Sequence, residues 1–355
     1  MSTSKVPVFL YLMGLFWLQC VPLQADDFTP TLSKGSGYNE YWEQQFLFDG
    51  DILLTSQFLI TNIPLSRNHG IMLASIKEPN APSLLIKNGR SRSGWSHNAE
   101  IPLLAIFQHE LKGPFPNYQL TLDNTAAQAI VDFKTLANPI ELMASDNPDN
   151  LPAITLYIPA AVATGKWRKG PANRAGDSYG DWHQLTNGSG YALHARQTAE
   201  SSTSLSRWIR LNGLVQRANE RVPILHQFHK RDGSKHTILL ILKNGEIEAR
   251  FEGVELKDSS SSDTLVIRAM DSEWQIKGTI IKRKLLEEFN IEDHLNGVEK
   301  LVAGPTVKVE RQRFVTSYNI SIASEQGVEL LSGDALMEDI ILPQPKQSKR
   351  RRVRR

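Results

Sequence analysis

Apolar and polar positions alternate along the chain from residue 40 to residue 322, and helical spacing is almost absent. Because side chains of a strand point alternately to its two faces, a period of two predicts half-buried β-strands. Gly, Asn, Asp and Pro separate the alternating segments, as expected for turns. In the first half the predicted strands are Tyr41 to Phe48, Ile52 to Asn62, Gly70 to Ile76, Ser83 to Lys87, Leu103 to Leu111, Tyr118 to Leu122, Ala129 to Lys134 and Ile154 to Ile158.

The second half repeats the pattern with shorter gaps, which indicates an up-and-down meander. Asp49-Gly50 and Asn244-Gly245 are tight-hairpin sequences, because Gly and Asn tolerate positive φ. Lys284 to Leu295 differs, since its apolar residues have helical spacing, and we predict a short helix there. The predicted strands are Trp208 to Arg217, Val222 to His229, His236 to Leu242, Ile247 to Leu256, Thr264 to Met270, Trp274 to Ile281 and, as one or two strands, Val307 to Ile322.

The predicted fold is all-β, with two tandem barrel or sandwich domains. Residues 159–190 contain glycines and prolines and little alternation, so we interpret them as a linker. They separate a first domain, residues 26–158, from a second, residues 191–342. Closing each sheet on itself would remove its exposed edges and leave an interior able to hold one small ligand.

Residues 1–25 have the order of a cleavable signal peptide. Lys5 precedes the apolar stretch from Val8 to Trp17, which is followed by Pro22 to Ala25. This stretch is too short to cross a hydrocarbon core, which needs roughly 20 apolar residues. We expect a secreted or periplasmic protein cleaved near Ala25. Lipidation at Cys20, the only cysteine, is a minor alternative; cleavage at Ala25 would leave a mature chain without thiols or disulfides.

Residues 343–355 form a basic tail that we expect to be disordered. Its last ten residues carry seven positive charges and no negative one, and since the net charge of the whole chain is only +2, the remainder is acidic. The tail is either a solvated end or an attachment to an anionic surface such as phospholipid or lipopolysaccharide. Nucleic acid is disfavoured because no aromatic residue is interleaved to stack on bases. The cations proposed for attachment are Lys349, Arg350, Arg351, Arg352, Arg354 and Arg355.

Two segments of the first half and the start of the second carry a family resemblance. They are Glu40 to Phe46 (EYWEQQF), Gln57 to Asn62 (QFLITN) and Trp208 to Leu211 (WIRL) with its meander. The chain resembles the lipocalin-like superfamily that includes carotenoid hydratase, the AttH-type proteins and the yeast survival-factor proteins. The resemblance implies two tandem lipocalin-like β-domains that handle isoprenoid, lipid or similarly apolar molecules.

The chain departs from this family at its catalytic motif. The hydratases of the family carry an Asp-His-x-Trp element at the cavity between the domains. The sequence here has one Asp-His pair, Asp293-His294, and Asn296 stands where the motif needs Trp. Hydratase or cyclase chemistry therefore cannot be transferred residue by residue.

Several tracts combine an aromatic ring with an imidazole, a pair suited to proton transfer or to binding a polar headgroup. For an enzyme we predict that Trp182, His183 and His194 replace the missing element. Each also has an ordinary interpretation, since Trp fills cores and a loop His is usually solvated. The residues predicted to bind ligand are Trp95, His97, Trp167, Tyr179 and Trp208.

Other chemistries lack a complete residue set. We expect the hairpin at Asp232-Gly233 to pair His229 with His236 and to put His226 on the opposite face, which offers at most two metal ligands where zinc wants three or four. A Gly-x-Ser-x-Gly nucleophile and a Gly-rich phosphate loop are both absent from the sequence. We therefore predict no metal and no cofactor.

Three functions remain open. The first is a carrier of an apolar small molecule, the second a hydratase, cyclase or isomerase acting on a terpenoid or lipid, and the third a surface-interaction protein that uses its basic tail. The space between the domains discriminates among them. A wide apolar cavity with a buried His favours the enzyme, a cavity without one favours the carrier, and no cavity favours the third. The ligand, the source and the oligomeric state are not predicted.

Overall fold

A computed structural model of the chain describes residues 28–35, 37–63, 66–91, 94–171, 178–198, 203–217, 219–259, 263–270, 273–290, 293, 309–325 and 327–342. The predicted leader, Cys20 and the basic tail lie outside these residues. Within them every sheet ladder is antiparallel, and no helix has the length and hydropathy of a membrane span. The fold is all-β, as the alternation predicts.

The first twelve strands form one curled sheet, the N-terminal barrel. A single turn of 3₁₀ helix at Asp49–Asp51, with Gly50 at φ +71°, makes the hairpin that Asp49-Gly50 predicts. The strands are β1 Asn39–Phe48, β2 Ile52–Ile63, β3 Ser66–Lys77, β4 Leu84–Ser91, β5 Trp95–Asn98, β6 Leu103–Ile106, β7 His109–Lys112, β8 Asn117–Asp123, β9 Ala127–Thr135, β10 Ile140–Met143, β11 Ala153–Lys169 and β12 His183–Gln197.

Nine further strands form the C-terminal barrel. They are β13 Leu205–Gly213, β14 Val222–Lys230, β15 Lys235–Lys243, β16 Glu246–Glu252, β17 Glu255–Asp258, β18 Thr264–Met270, β19 Gln275–Asn290, β20 Glu310–Ser324 and β21 Gly327–Ile341. The two barrels share one topology: the first strand pairs with the last, β1 with β12 and β13 with β21, and the other strands run outward from that pair.

A short turn in one barrel and a side-chain hydrogen bond in the other bring the edge regions of each sheet together. In the C-terminal barrel β16 pairs with β15 and β17 pairs with β18, and only Gly253 (φ +72°) and Val254 separate the two strands. In the N-terminal barrel the indole of Trp95 on β5 donates a hydrogen bond to the Asn68 carbonyl on β3, at 2.8 Å. Side chains fill both interiors, since each encloses a continuous apolar cluster.

The predicted helix at Lys284 to Leu295 is wrong for the residues that the structure describes. Residues 284–290 extend β19 and pair with β20. Bulges after Lys282 and after Leu285 interrupt the alternation, and this interruption mimics helical spacing. Leu286 consequently faces the buried cluster of Leu53, Val315 and Leu336, which joins the two barrels.

The predicted linker at 159–190 also needs correction. Its two ends belong to β11 and β12, which pair with each other, so the sheets divide the chain between Gln197 and Leu205. Glycines that suggest a linker instead permit close strand approach: a Cβ on Gly165 would collide with the Ile130 backbone, and one on Gly190 with the Gln45 backbone. The first domain therefore extends well past residue 158.

One end of each barrel carries an ion pair between its first and last strands. In the N-terminal barrel the Glu40 carboxylate lies 2.9 Å from His194 Nε2. In the C-terminal barrel the Arg207 guanidinium donates two hydrogen bonds to Asp339, at 2.7 and 2.5 Å. Both pairs lie diagonally across the ladder, because each partner is two residues from the residue that faces it directly. The polarity is reversed between them, because the first strand supplies the acid in one barrel and the base in the other.

The outer faces of the two barrels pack against each other. One apolar cluster combines Tyr41 and Tyr191 of the N-terminal barrel with Trp208, Ile224 and Phe228 of the C-terminal barrel. This cluster contains buried residues of both barrels, so the barrels share one interface. Within the interface lies a group of charges that we call the interface network: Glu43, Glu287, Glu338, Arg210, Arg311 and Arg313.

The interface network balances three acids with three bases. Arg210 is fully buried and bridges Glu43 of the N-terminal barrel and Glu338 of the C-terminal barrel. Arg311 donates to Glu43 at 3.1 Å, and Gln45 donates to the same carboxylate at 2.7 Å. Burial opposes ionisation of Glu43, but the neighbouring arginines outweigh it and hold its pKa below the usual range. Glu43 is the one carboxylate that the N-terminal barrel contributes to the network.

Arg210→Met should lower the free energy of unfolding by about 3–5 kcal/mol, because it leaves Glu43 and Glu338 buried without their shared partner. Arg283→Met, which breaks the exposed pair with Asp334, should cost about 1 kcal/mol or less. The double variant Arg210→Met/Glu43→Gln restores equal numbers of acids and bases and should be more stable than Arg210→Met alone. Chemical denaturation measures all three, and an additive loss in the double variant would contradict the network.

Acid should destabilise the fold through His109, a fully buried residue of β7 whose Nδ1 accepts the Asp123 backbone N–H at 3.1 Å. Burial lowers its pKa to about 4. In the unfolded chain His109 binds a proton near pH 6.5, whereas in the folded chain it stays neutral until about pH 4. The free energy of unfolding therefore falls as the pH falls from about 6.5 to 4. In His109→Gln the melting temperature should depend less on pH across that window. An equal dependence in both proteins would remove His109 as a cause.

Candidate functional site

The residues predicted to be catalytic do not form one site. His194 lies at one end of the N-terminal barrel, where it stacks on Trp42 with 4.2 Å between ring centroids and contacts Glu40. His183 begins the same strand eleven residues earlier, which places it about 35 Å away. Trp182 lies beside His183. The structure therefore separates His194 from the other two.

Four predicted residues do come together at the opposite end of that barrel. His183 stacks on Trp167 with 5.2 Å between centroids. The Arg168 guanidinium carbon lies 4.6 Å from the ring centroids of both Tyr179 and Trp182. Cation–π contacts of this kind tie β11 to the half-buried rings of Tyr179 and Trp182, which precede β12. Trp167 is buried in the interior cluster, whereas His183 is exposed, so the group lies where the barrel interior meets its surface.

The remaining predicted ligand-binding residues have structural positions. Trp95 packs against Gly70 and closes the N-terminal barrel. The ring centroid of His97, on the same strand β5, lies 6.2 Å from that of Trp95. Trp208 is buried in the interface between the barrels, where its Nε1 donates to His226 Nδ1 at 3.3 Å. None of the three borders the larger cavity described below.

The histidines of β14 and β15 pair differently from the prediction. His236 lies opposite Phe228, and His229 lies opposite Lys235, one residue out of the expected register. Burial lowers the pKa of His229 to about 4. In the part of the chain that the structure describes, no three His, Cys, Asp or Glu side chains are grouped closely enough to hold a metal ion.

A cleft of about 410 Å³ lies between the two barrels, and we call it the interdomain cleft. One wall comes from β10 and the loop after it, the other from β15 and β16. Its volume falls in the range of small-molecule sites. The lining combines apolar Leu142, Met143, Ala144, Pro148 and Ile238 with polar Glu141, Asp146, Asn147, Asp149, His236, Arg250 and Glu252.

Turn chemistry fixes the loop wall of the interdomain cleft. The Asn147 side chain donates to the carbonyls of Ala144 and Leu151, at 2.8 and 2.9 Å, and its carbonyl oxygen accepts the Leu151 N–H. Such Asn-centred bonds replace the ladder bonds that a loop lacks. The loop therefore holds Asp149 in a defined position at the edge of the cleft.

Asp149 joins the two walls. One carboxylate oxygen accepts a hydrogen bond from Lys230 Nζ at 2.9 Å, and the other lies 3.4 Å from His236 Nδ1. The hydrogen bond that Lys230 donates to Asp149 raises the pKa of Lys230. His236 Nε2 is buried and has no hydrogen-bond partner among the described residues, so the carboxylate orients the ring. Asp149 and His236 therefore meet at the wall of the cleft.

Arg250 supplies a fixed cation on the opposite side. Its Nη1 and Nη2 donate to the backbone carbonyls of Glu141 and Leu142, at 3.3 and 3.1 Å, and Nη2 also contacts Glu252 at 3.1 Å. These contacts tie β16 to β10 across the cleft. A ligand in the cleft would therefore meet an apolar floor and a rim bearing both charges.

Sequence reasoning missed this site. It weighed His236 as a metal ligand alone and did not consider Asp149 or Arg250. The signal available was the run of Asp, Asn and Pro from Asp146 to Asn150, which marks a built turn between two strands. No sequence pattern indicates that this turn faces β15.

No protein-family model and no curated protein matches the sequence. Solved structures do match in three dimensions. CghA, solved with Sch210972, superimposes with a TM-score of 0.59 at 8% identity, covering 87% of this chain and 89% of its own. An AttH protein from Nitrosomonas europaea gives 0.52 at 10% identity, with 86% and 92% covered. Kievitone hydratase from Nectria haematococca gives 0.50 at 10% identity, with 89% and 98% covered.

The chain has the two-domain lipocalin-like fold of these proteins. Because the identities are 10% or lower, the similarity concerns the fold. The superposition covers most of both chains, so it includes both barrels and their arrangement. The fold that the resemblance implies is confirmed, and the chemistry of the site is argued from the residues of this chain.

Proposed function

We propose that this protein binds a small molecule in the interdomain cleft, with the apolar part of the ligand on Leu142, Met143 and Ile238. The observation that carries this proposal is the location of the open space: both barrel interiors are filled, whereas the cleft has the volume of a ligand site and walls from both barrels. One fold neighbour was solved with Sch210972, which supports ligand binding by this fold.

The lining defines the class of ligand. A purely apolar carrier site would exclude charge, whereas this cleft is lined by four carboxylates and Arg250, and Lys230 pairs with Asp149 at its edge. A ligand with a hydrocarbon or aromatic body and one hydroxyl or basic group matches both parts of the lining. Isoprenoid or lipid molecules with a polar end belong to that class. Export through the leader and attachment through the basic tail are further proposals that rest on the sequence alone.

Ala144→Trp should weaken binding at least tenfold, because Ala144 lines the cleft and an indole there takes up ligand volume. The probe is Nile red, an uncharged dye whose apolar ring system matches the apolar residues of the lining, followed by fluorescence titration. Ser145→Trp is the matched control, since Ser145 is the exposed neighbour and does not line the cleft. Equal affinity in wild type and Ala144→Trp would count against the cleft as the site.

A second candidate is an enzyme of the hydratase, cyclase or isomerase type. The observation that favours it is the contact between Asp149 and His236 at the cleft wall, since an imidazole oriented by a carboxylate is suited to general acid–base work. A fold neighbour named as a hydratase supports the same class. The reaction would add or move a proton on a ligand held against Ile238, with no cofactor required.

His236→Asn and Asp149→Asn should each lower kcat by about 10²- to 10⁴-fold on any terpenoid or lipid that the wild type converts, the range for loss of a general acid or base. Product formation by chromatography with mass detection measures the rate. His97→Asn is the control, because His97 is exposed on β5 and distant from the cleft lining. Turnover that persists in both cleft variants would leave the binding function alone.

A further inference from the structure

A second surface, on the far side of the C-terminal barrel, carries the three most exposed large apolar side chains among the described residues. Met270, Val328 and Leu330 expose 76, 73 and 69% of their surface. They lie on the outer face of β18 to β21, beyond the part of that face that packs on the N-terminal barrel through Leu336 and Glu338. We call these three residues, with Arg268 and Lys277, the outer patch.

Strand register assembles the outer patch from distant parts of the sequence. Met270 pairs with Gln275, Gln275 with Ala323 and Ala323 with Val328, so one row across four strands has an apolar side chain at each end. The adjacent row on the same face runs from Arg268 through Lys277 and Ser321 to Leu330. Between the ends of the two rows, β20 contributes the small residues Ala323 and Ser321.

The two cations of the outer patch lie where they repel each other in the isolated protein. Arg268 and Lys277 lie directly opposite each other on neighbouring strands, and like charges in that position repel. Glu255 lies opposite Arg268 and interacts with it electrostatically, but its carboxylate forms an ion pair with Lys257. An external anion beside Met270 and Leu330 would relieve this repulsion.

A shallow depression of about 340 Å³ lies on the same face, next to the row of Leu330. Hydroxyl and amide groups line it, among them Thr279, Ser317, Asn319 and Ser332. Such groups hydrogen-bond a polar headgroup, whereas exposed Leu, Val and Met insert below it. The projecting apolar residues, the paired cations and the polar depression thus occur together on one surface.

We infer that the outer patch docks the protein on an anionic phospholipid bilayer. Met270, Val328 and Leu330 enter the headgroup boundary, and Arg268 and Lys277 face the lipid phosphates. Two cations near a membrane surface contribute about a tenfold or greater preference for anionic over neutral lipid. The inference is independent of the interdomain cleft, which lies between the barrels and uses none of these residues.

Insertion is tested at a single labelled position. In a Cys20→Ser background, Met270→Cys labelled with an environment-sensitive nitrobenzoxadiazole dye should brighten and shift to the blue on vesicles containing 30% phosphatidylglycerol. Ile101→Cys is the matched position, since Ile101 is 66% exposed and lies on the N-terminal barrel. A dye at position 270 that reports water while the protein sediments with vesicles would overturn the inference and assign attachment to the basic tail.

Sedimentation with vesicles tests the two parts separately. Val328→Ser/Leu330→Ser should weaken binding about tenfold, whereas Ile101→Ser should not. Arg268→Gln/Lys277→Gln should abolish the preference for anionic lipid that remains when residues 346–355 are deleted. Unchanged melting temperatures show that the variants fold. Wild-type binding by both double variants would overturn the inference. A dye signal that rises with protein concentration in the absence of vesicles would also overturn it, because it would identify a contact between two copies.

Discussion

The bridge from Glu43 through Arg210 to Glu338 determines how the rest of the molecule is arranged. Each of these charges is buried, and an isolated buried charge costs several kcal/mol, so the two barrels can pack only in the orientation that pairs them. Apolar packing around Trp208 stabilises the interface but does not select one orientation of the barrels. The buried charges select the orientation, because both Glu43 and Glu338 must reach Arg210.

The interdomain cleft is a consequence of that fixed orientation. Neither barrel alone makes it, because β10 and its loop form one wall and β15 and β16 the other. Asp149 and Arg250 cross the cleft at its rim, so its width depends on contacts between the barrels and not within one. A ligand site built in this way is as rigid as the interface beside it.

Alternation predicted most strands, because a period of two follows directly from strand geometry. It failed where strands are irregular: two bulges gave β19 helical spacing, and glycines needed for close approach made β11 and β12 resemble a linker. The site was harder to predict. His236 and Asp149 are far apart in sequence, and their contact arises only when one barrel docks on the other, which no local pattern encodes.

The reversed ion pairs at the barrel ends bear on assembly. The two barrels have the same strand order, so during folding the last strand of one is a topological substitute for the last strand of the other. If β21 paired with β1, Asp339 would meet Glu40; if β12 paired with β13, His194 would meet Arg207. Both exchanges bring like charges or two bases together at a barrel end. The opposite polarity of the two pairs therefore disfavours an exchange of strands between the barrels during folding.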